Sequence, residues 1–343
     1  MVQSHTELTR GPQRHGIIEI GTRGIRLLIA DASPAGIEKI VYSAGELSHL
    51  GKELDATGYI PPETTRRIKR IVSAYQEVAQ QNQTDDLFAI ATESVRVAPN
   101  RADFVSEISQ VAPLEVLDKA QEAAFSFLAS AEAFESELRP GATVLIVDQG
   151  GGSTELIYGY MRDDRLPAVK ADFTLDFGTM ALSRMFVTSP SATQAWTRIT
   201  GQLRLALEEG DYEARLGDLV QRPPDLAIAL GSAITFYMRD EIASVEGRKP
   251  PLRGLHGRRV DPDGIVRYLS RIQPALDEMG LTPGDFAPDS DEATVLSGLV
   301  IYAAMAQKHG IANYRISRSG MRYGALSWRA GKRILVELPA KNG

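Results

Sequence analysis

The chain has 343 residues, a formal net charge of −6 and no cysteine. The absence of cysteine excludes disulfides, thiolate catalysis and cysteine-based zinc sites. The negative net charge excludes the broad basic field that would attract a nucleic acid or an anionic membrane. Because single hydrophobic cores stop growing at roughly 250–300 residues, this length predicts two domains.

The first fifteen residues are polar and lack the apolar segment of a secretory signal peptide, so we interpret residues 1–15 as a disordered tail. No run approaches the ~18–20 consecutive apolar residues that a membrane helix needs. These features favour a cytoplasmic protein without a membrane partner.

The first half begins with a predicted β-hairpin over residues 16–31, in which two apolar runs flank the turn Gly21–Gly24. The next segments predict a strand over 37–47, a helix over 61–81 with Ile68, Ile71, Val72, Tyr75 and Val78 at helical spacing, and short strands over 87–92 and 113–118.

An alanine-rich segment without glycine or proline predicts a helix over residues 119–138. The sequence RPGA follows it, and we place a domain boundary there, with domain I over 16–139 and domain II over 140–343. The second half then predicts strands over 143–148, 154–161, 225–230 and 313–317, and a helix over 293–310 closed by Gly310.

Both halves open with a strand, a glycine turn and a second strand. In each half an acid stands near the end of the first strand, Glu19 in one and Asp148 in the other. This similarity indicates a weak internal repeat, although β-hairpins are common enough to produce it by chance.

The segment Val147–Leu156 reads VDQGGGSTEL and is the strongest functional signal in the chain. Glycine lets a backbone approach a ligand closely and adopt positive φ, and consecutive amides in such a turn form an anion site. Ser153 and Thr154 add hydroxyl donors. Asp148 and Glu155 would repel a phosphate, so their natural partner is Mg²⁺, which binds through one or two carboxylates together with water and phosphate oxygens. The alternative is a tight hairpin with a capped turn.

Several other functional motifs are absent from the sequence. The chain has neither G-x-x-x-x-G-K-[ST] nor G-x-G-x-x-G before a helix, and it lacks G-x-S-x-G and H-E-x-x-H. Its five histidines are scattered, which argues against a histidine-based metal site.

Six segments in the same order resemble the exopolyphosphatase and guanosine pentaphosphate phosphatase family, Ppx/GppA, of the actin–Hsp70–sugar kinase superfamily. DQGGGSTEL is close to the second phosphate motif of this family, and IEIGTRGIRLLIAD resembles the first. The other four segments are AIATESVRVAPN, TLDFGTMALSRMF, LHG and ISRSGMRYGAL. Together the matches extend from about residue 17 to residue 326.

The resemblance implies an α/β fold of two RNase H-like (actin-like ATPase) domains with an interdomain cleft, in which a glycine hairpin from each domain binds condensed phosphate. It implies metal binding by Asp148, with Glu155 and Glu19 as further metal ligands, and Mg²⁺ as the cofactor with Mn²⁺ as an alternative. The implied phosphate-binding residues are Gly21, Thr22, Arg96, Gly150, Gly151, Gly152, Ser153 and Thr154. Arg23 is not a family residue, but as a cation beside Thr22 it is also expected to bind phosphate. A homodimer is also expected from the resemblance.

Departures from the family pattern bear on catalysis. Glu19 stands in place of the usual aspartate, and the first glutamate of the family's S-G-x-E-E-A segment is Gln121, so that only the second, Glu122, remains. If the family's base is the second position, Glu122 is the catalytic residue together with Asp148; if it is the first position, general-base catalysis is lost. A glutamine cannot accept a proton from water. The following family arginine is Ala124, and Arg318 replaces an acid.

Two hypotheses therefore remain open. One is a hydrolase that releases terminal phosphate from polyphosphate or guanosine pentaphosphate. The other is a catalytically weakened member that binds polyphosphate or a guanosine polyphosphate as a sensor. A sugar or acid kinase of the same superfamily is less favoured, because the family's G-x-G-G-T turn is ALGSA over Ala229–Ala233 in this chain.

Overall fold

The computed structural model describes residues 11–216 and 222–337. The described residues divide into two compact units, one formed by residues 11–116 with 322–333 and the other by residues 117–216 and 222–321 with 334–337. Of the predicted tail over residues 1–15, residues 1–10 lie outside the described residues. Residues 13–15 belong to the first strand and not to a tail.

The first unit has a five-stranded sheet in the order β3-β2-β1-β4-β5. Its strands are β1 (Gln13–Ile20), β2 (Gly24–Ser33), β3 (Gly36–Leu47), β4 (Asp86–Ala91) and β5 (Leu114–Val116). Its helices are α1 (Leu50–Thr57), α2 (Pro62–Gln81), α3 (Glu93–Val97), α4 (Arg101–Ser109) and α12 (Met321–Arg329), which begins at the junction of the two units.

The second unit has a seven-stranded sheet in the order β10-β11-β9-β6-β7-β8-β12. Its strands are β6 (Thr143–Gln149), β7 (Thr154–Met161), β8 (Pro167–Leu175), β9 (Leu226–Gly231), β10 (Arg259–Val260), β11 (Tyr314–Ile316) and β12 (Leu335–Val336). Its helices are α5 (Lys119–Ala133), α6 (Thr179–Val187), α7 (Ala192–Glu209), α8 (Tyr212–Leu216), α9 (Ser232–Glu246), α10 (Pro262–Met279) and α11 (Asp291–His309).

The two sheets share one arrangement of strands. In the first unit β1, β2 and β3 pair antiparallel, and β4 and β5 continue parallel on the other side of β1. In the second unit β6, β7 and β8 pair antiparallel, and β9 and β11 continue parallel on the other side of β6. The internal repeat inferred from two similar hairpins thus extends to five strands of each sheet, and the predicted α/β fold with two RNase H-like units is confirmed.

Each unit has its own hydrophobic core. In the first unit, α2 presents Ile68, Val72 and Tyr75 to the core at the spacing of successive helical turns. In the second unit, α11 is buried along most of its length, with Val295, Leu299 and other apolar residues in the main core cluster. Gly310 ends α11 in the left-handed conformation with φ 61°, as predicted.

Helix α5 belongs to the second unit, so the division of the chain differs from the predicted boundary near Pro140. The helix packs against β7 and β8, and Phe127 occupies the space beside Gly159, where a Cβ atom would lie 2.5 Å from its ring. The RPGA turn interrupts the regular secondary structure, but this packing places α5, which precedes the turn, in the same unit as the strands that follow it.

The segment 322–333 returns to the first unit and is attached there by polar contacts. Arg329 donates to both carboxylate oxygens of Asp86, at 2.8 and 3.3 Å. Lys332 donates to the carbonyl oxygen of Ala35 at 2.7 Å. The sequence-based domain boundaries did not include this return of the chain.

No helix within residues 11–216 and 222–337 is both long and apolar enough to cross a membrane.

Candidate active site

The glycine turn between β6 and β7 is held by its own carbonyl groups. The N–H of Gly150 donates to the carbonyl of Ser153 at 3.0 Å, which closes the turn. The carbonyl oxygens of Gly150 and Gly151 accept hydrogen bonds of 2.9 and 3.0 Å from Thr179 and Met180, the first two residues of α6. The turn is therefore fixed to the start of a helix.

This attachment sets the direction of the following amide groups. In a planar trans peptide the C=O of one residue and the N–H of the next point in opposite directions. Because the carbonyls of Gly150 and Gly151 point toward α6, the N–H groups of Gly151 and Gly152 point away from it. Neither N–H group has a protein acceptor within the part of the chain that the structure describes. Two successive amides in this orientation are suited to binding an anion.

Backbone conformation does not account for the three glycines. None of Gly150, Gly151 and Gly152 is among the glycines with left-handed φ. The positive φ that glycine permits is thus not the reason for the GGG sequence, and close approach of another group to the backbone is the physical explanation that remains.

Gly178, which precedes α6, is a further determinant of the turn that sequence reasoning did not single out. A Cβ atom at this position would lie 2.5 Å from the carbonyl oxygen of Gly150 and 2.7 Å from that of Gly151. The signal was available in TLDFGTMALSRMF, where a glycine directly precedes a helix. Its importance depends on contacts with a turn some thirty residues earlier in the chain.

The hydroxyl groups of Ser153 and Thr154 are engaged within the protein. Ser153 donates to Glu155, and Thr154 donates to the carbonyl oxygen of Phe177 at 2.9 Å. Both residues are buried. Since a hydroxyl has one hydrogen to donate, the phosphate contacts predicted for these side chains would have to replace bonds that stabilise the turn.

Asp148 and Glu155 are paired across β6 and β7. Residues directly opposite in an antiparallel pair place their side chains on one face, with Cβ atoms about 4.5–5.5 Å apart. Ser126 donates to Oδ2 of Asp148 at 2.9 Å, and Ser153 donates to Oε1 of Glu155. Two adjacent carboxylates that are each oriented by a hydroxyl fit a hard cation such as Mg²⁺, which takes few protein ligands and keeps several waters. Among residues 11–216 and 222–337, no three His, Asp or Glu side chains form a metal-binding group.

The start of α5 separates the roles of Gln121 and Glu122. Asp118 caps the helix by accepting from the N–H of Gln121 at 2.8 Å, and the side chain of Gln121 accepts from the N–H of Asp118 at 2.9 Å. This capping box gives Gln121 a structural function. Glu122 is buried, with 7% of its surface exposed, and it lies one helical turn before Ser126, the residue that contacts Asp148. Since side chains at i and i+4 share a helix face, Glu122 lies on the Asp148 side of α5.

The first hairpin repeats the construction of the second. The carbonyl of Thr22 accepts from the N–H of Gly51 in α1, and that of Arg23 accepts from the N–H of Ser48, both at 3.0 Å. Ser94 donates to the hydroxyl oxygen of Thr22 at 2.8 Å, which attaches α3 to the turn. Arg96 lies two residues further along the same short helix. The predicted phosphate-binding residues Gly21, Thr22, Arg23 and Arg96 are therefore brought to one region of the first unit.

Glu19 is surrounded by arginines. Its Oε2 lies 3.3 Å from Arg322, and its Oε1 lies 3.5 Å from Arg26. Glu19 and Arg322 are both largely buried, with 13% and 14% of their side chains exposed. The carboxylate is placed as a counter-ion that joins β1 to α12. Because its oxygens face cations, this geometry gives no support to the predicted role of Glu19 as a metal ligand.

His256, in the LHG segment, has a structural environment. Its Nδ1 accepts from the backbone N–H of Arg318 at 3.1 Å, and its ring stacks on Phe134 at a centroid distance of 5.2 Å. Burial and the nearby charges of Arg315 and Arg318 lower the pKa of His256. The neutral ring joins the loop after β11 to the segment that follows α5.

These features define the class of the protein as an α/β protein of the actin-like ATPase fold, with a glycine hairpin at the start of each sheet. A model of the Ppx/GppA phosphatase family matches residues 28–330, and the chain belongs to this family. The matched range includes the second hairpin and begins after the turn of the first.

Curated relatives include exopolyphosphatases of mycobacteria. The chain is 30% identical to exopolyphosphatase 2 of Mycobacterium tuberculosis over 191 residues, which cover 52% of this chain and 57% of that protein, little more than half of its length. It is 24% identical to exopolyphosphatase 1 of the same species over 326 residues, which cover 91% of this chain and 87% of that protein.

Solved structures show the same fold. The Ppx/GppA family member of Aquifex aeolicus matches with a TM-score of 0.69 and 22% identity, over 92% of this chain and 97% of that one. An exopolyphosphatase from Cytophaga hutchinsonii matches with a TM-score of 0.72 and 18% identity, over 94% and 100% of the two chains.

Proposed function

We propose that this protein is a phosphoanhydride hydrolase that releases terminal phosphate from inorganic polyphosphate or guanosine pentaphosphate. Membership in the Ppx/GppA phosphatase family supports the reaction class. The observation that carries the proposal is the pair of outward N–H groups at Gly151 and Gly152, held in place by the attachment of their turn to α6. Such preorganised donors stabilise charge on phosphate oxygens without rearrangement during the reaction.

The chemistry is assigned to residues of the second unit. Water attacks the terminal phosphorus, a new P–O bond forms, the bridging P–O bond breaks, and the shortened chain leaves with the bridging oxygen. Glu122 accepts the proton of the attacking water, because Gln121 is held in the capping box and has no basic group. The amides of Gly151 and Gly152 hold non-bridging oxygens of the reacting phosphate.

Asp148 and Glu155 are the residues that would hold a divalent ion, Mg²⁺ or Mn²⁺. When bound, such an ion supplies positive charge against phosphate oxygens, and most of the catalysis in phosphoryl transfer is positioning and electrostatics of this kind. We propose that the first hairpin, with Thr22, Arg23 and Arg96, also binds phosphate. The expected homodimer and cytoplasmic location remain predictions of the sequence.

The test is phosphate release by the purified full chain. Long-chain polyphosphate and guanosine pentaphosphate are supplied separately, each with Mg²⁺ and with a chelator, and free phosphate is measured over time. We expect Mg²⁺-dependent release, and we expect Glu122→Gln to lower the rate by about 10²–10⁴-fold, the range that a general base supplies. Equal rates for Glu122→Gln and the parent would remove Glu122 from the mechanism.

A second candidate is a sensor that binds the same ligands with little or no turnover. It is favoured by one observation: the position of the usual first glutamate holds Gln121, whose side chain is committed to capping α5. Tight binding of labelled polyphosphate without measurable phosphate release would support this candidate and contradict the hydrolase.

A further inference from the structure

Ser126 lies in the middle of α5 and makes one contact that reaches the candidate active site. Its side chain is 3% exposed, and its hydroxyl donates to Oδ2 of Asp148 at 2.9 Å. Asp148 is the carboxylate that the proposed divalent ion requires. It is the next-to-last residue of β6, the strand that leads into the glycine turn. A buried hydroxyl on a helix thus restrains the carboxylate on the neighbouring sheet.

The restraint is specific to one oxygen. A carboxylate without such a partner can rotate about its terminal bond, because this torsion is broad. A hydrogen bond to Oδ2 limits the rotation and fixes the direction of Oδ1. Groups that orient ligating side chains in this way alter metal affinity by roughly 10–100-fold when they are removed.

The same contact connects Asp148 to Glu122. Glu122 and Ser126 are four residues apart on α5 and share one face of the helix. The capping box at Asp118 fixes the first turn, and Phe127 fixes the helix against β7 beside Gly159. The hydroxyl of Ser126 therefore joins the helix that carries Glu122 to the strand that carries Asp148 by a hydrogen bond.

We infer that Ser126 is a positioning residue for the divalent-ion site: it orients Asp148 for the ion and sets the place of Glu122 relative to it. This inference rests on the proposed function, since it assumes that Asp148 binds a divalent ion. Ser126 itself contacts neither ion nor substrate and acts through Asp148.

The chain offers a matched control one turn further along the same helix. Ser130 is fully buried, and its hydroxyl has no hydrogen-bond partner within the described residues. Ser126→Ala and Ser130→Ala delete the same atom from the same helix face. Only the first deletion removes a bond to Asp148.

The experiment measures Mn²⁺ binding to the full chain by electron paramagnetic resonance, with no substrate present, for the parent, Ser126→Ala, Ser126→Thr, Ser130→Ala and Asp148→Asn. We expect Ser126→Ala to bind Mn²⁺ about 10-fold or more weakly. Ser130→Ala should keep the parent affinity, and Ser126→Thr, which keeps a hydroxyl, should recover most of it. Circular dichroism and thermal melting establish that each variant is folded at the assay temperature.

The outcomes distinguish failure of the role of Ser126 from failure of the proposed metal site. If the parent binds Mn²⁺, Asp148→Asn does not, and a folded Ser126→Ala binds as the parent does, the role of Ser126 is refuted and the metal site stands. If Ser126→Ala and Ser130→Ala weaken binding equally, the effect is one of packing and the inference is again refuted. If the parent binds no Mn²⁺, or Asp148→Asn binds as well as the parent, the proposed metal site fails and the inference fails with it.

Discussion

Substitution of Gly178 by alanine is expected to disturb the glycine turn directly. The backbone at Gly178 has φ −118°, which any residue adopts, so the added methyl group acts by contact alone. Its Cβ would lie 2.5 Å from the carbonyl oxygen of Gly150, whereas real Cβ contacts stay above 3.0 Å, so the turn or α6 must move by at least 0.5 Å. The groups that the methyl group would meet are the backbone carbonyls of Gly150 and Gly151, which cannot rotate away as a side chain can.

The expected magnitude follows from this displacement. Overpacking of this kind typically costs about 1–3 kcal/mol of folding free energy. A functional constellation tolerates shifts of roughly 0.5 Å, and misplacement by about 1 Å can lower a rate about 10²-fold. Gly178→Ala should therefore lower both the Tm and the rate of phosphate release from polyphosphate.

Gly201→Ala is the matched control, because a Cβ at this position in α7 meets no atom within 4 Å. An alanine in place of a glycine within a helix should raise stability by about 0.5–1 kcal/mol and leave phosphate release unchanged. Thermal melting and the phosphate-release assay are performed on both variants. A Gly178→Ala protein with the parent Tm and the parent rate would refute the proposed role of the contact between α6 and the turn.

Three further predictions concern other parts of the structure. Glu19→Gln should lower the thermal stability of the first unit, since it leaves Arg322 without its counter-ion, yet Mn²⁺ affinity should not change; weaker Mn²⁺ binding would restore Glu19 as a metal ligand. Burial lowers the pKa of His309 to about 4 from its ordinary 6.5, so the unfolded chain takes up a proton at a pH where the folded chain does not. Stability should therefore fall as the pH is lowered from about 6.5 to 4, by on the order of 3 kcal/mol, and His309→Gln should flatten this part of the Tm-against-pH curve; an unchanged slope would contradict the assignment. Gln121→Glu keeps the capping interaction and should leave phosphate release within a few-fold of the parent if Glu122 is the base, whereas a large increase would make residue 121 the site of the missing base.

Local patterns predicted most of the elements that carry the candidate site. Helix α2 was found from apolar residues at helical spacing, and the strand before GGGSTE from its apolar run, because burial on one side leaves a periodic signal in the sequence. The pairing of Asp148 with Glu155 is also a local property, since a short turn between two strands fixes their register.

Features that depend on distant contacts were not predictable from one sequence. The assignment of α5 to the second unit depends on the space that Gly159 leaves for Phe127, and nothing near residue 127 indicates this. The restraint of the glycine turn depends on Thr179 and Met180, which lie in the next helix along the chain, after two whole strands. The surroundings of Glu19 depend on Arg322, which is three hundred residues further along the chain.

The return of residues 322–333 to the first unit has a consequence for the order in which the protein folds during its synthesis. The first unit lacks Arg322 and Arg329, which pair with Glu19 and Asp86, until α12 has been made, about 200 residues after Val116. At the usual rate of roughly 5–20 residues per second, the ribosome needs of the order of 10–40 s to cover that distance. Through this interval the N-terminal sheet lacks the ion pairs of Glu19 with Arg322 and of Asp86 with Arg329. It is completed only after the whole second sheet except its last short strand has been translated.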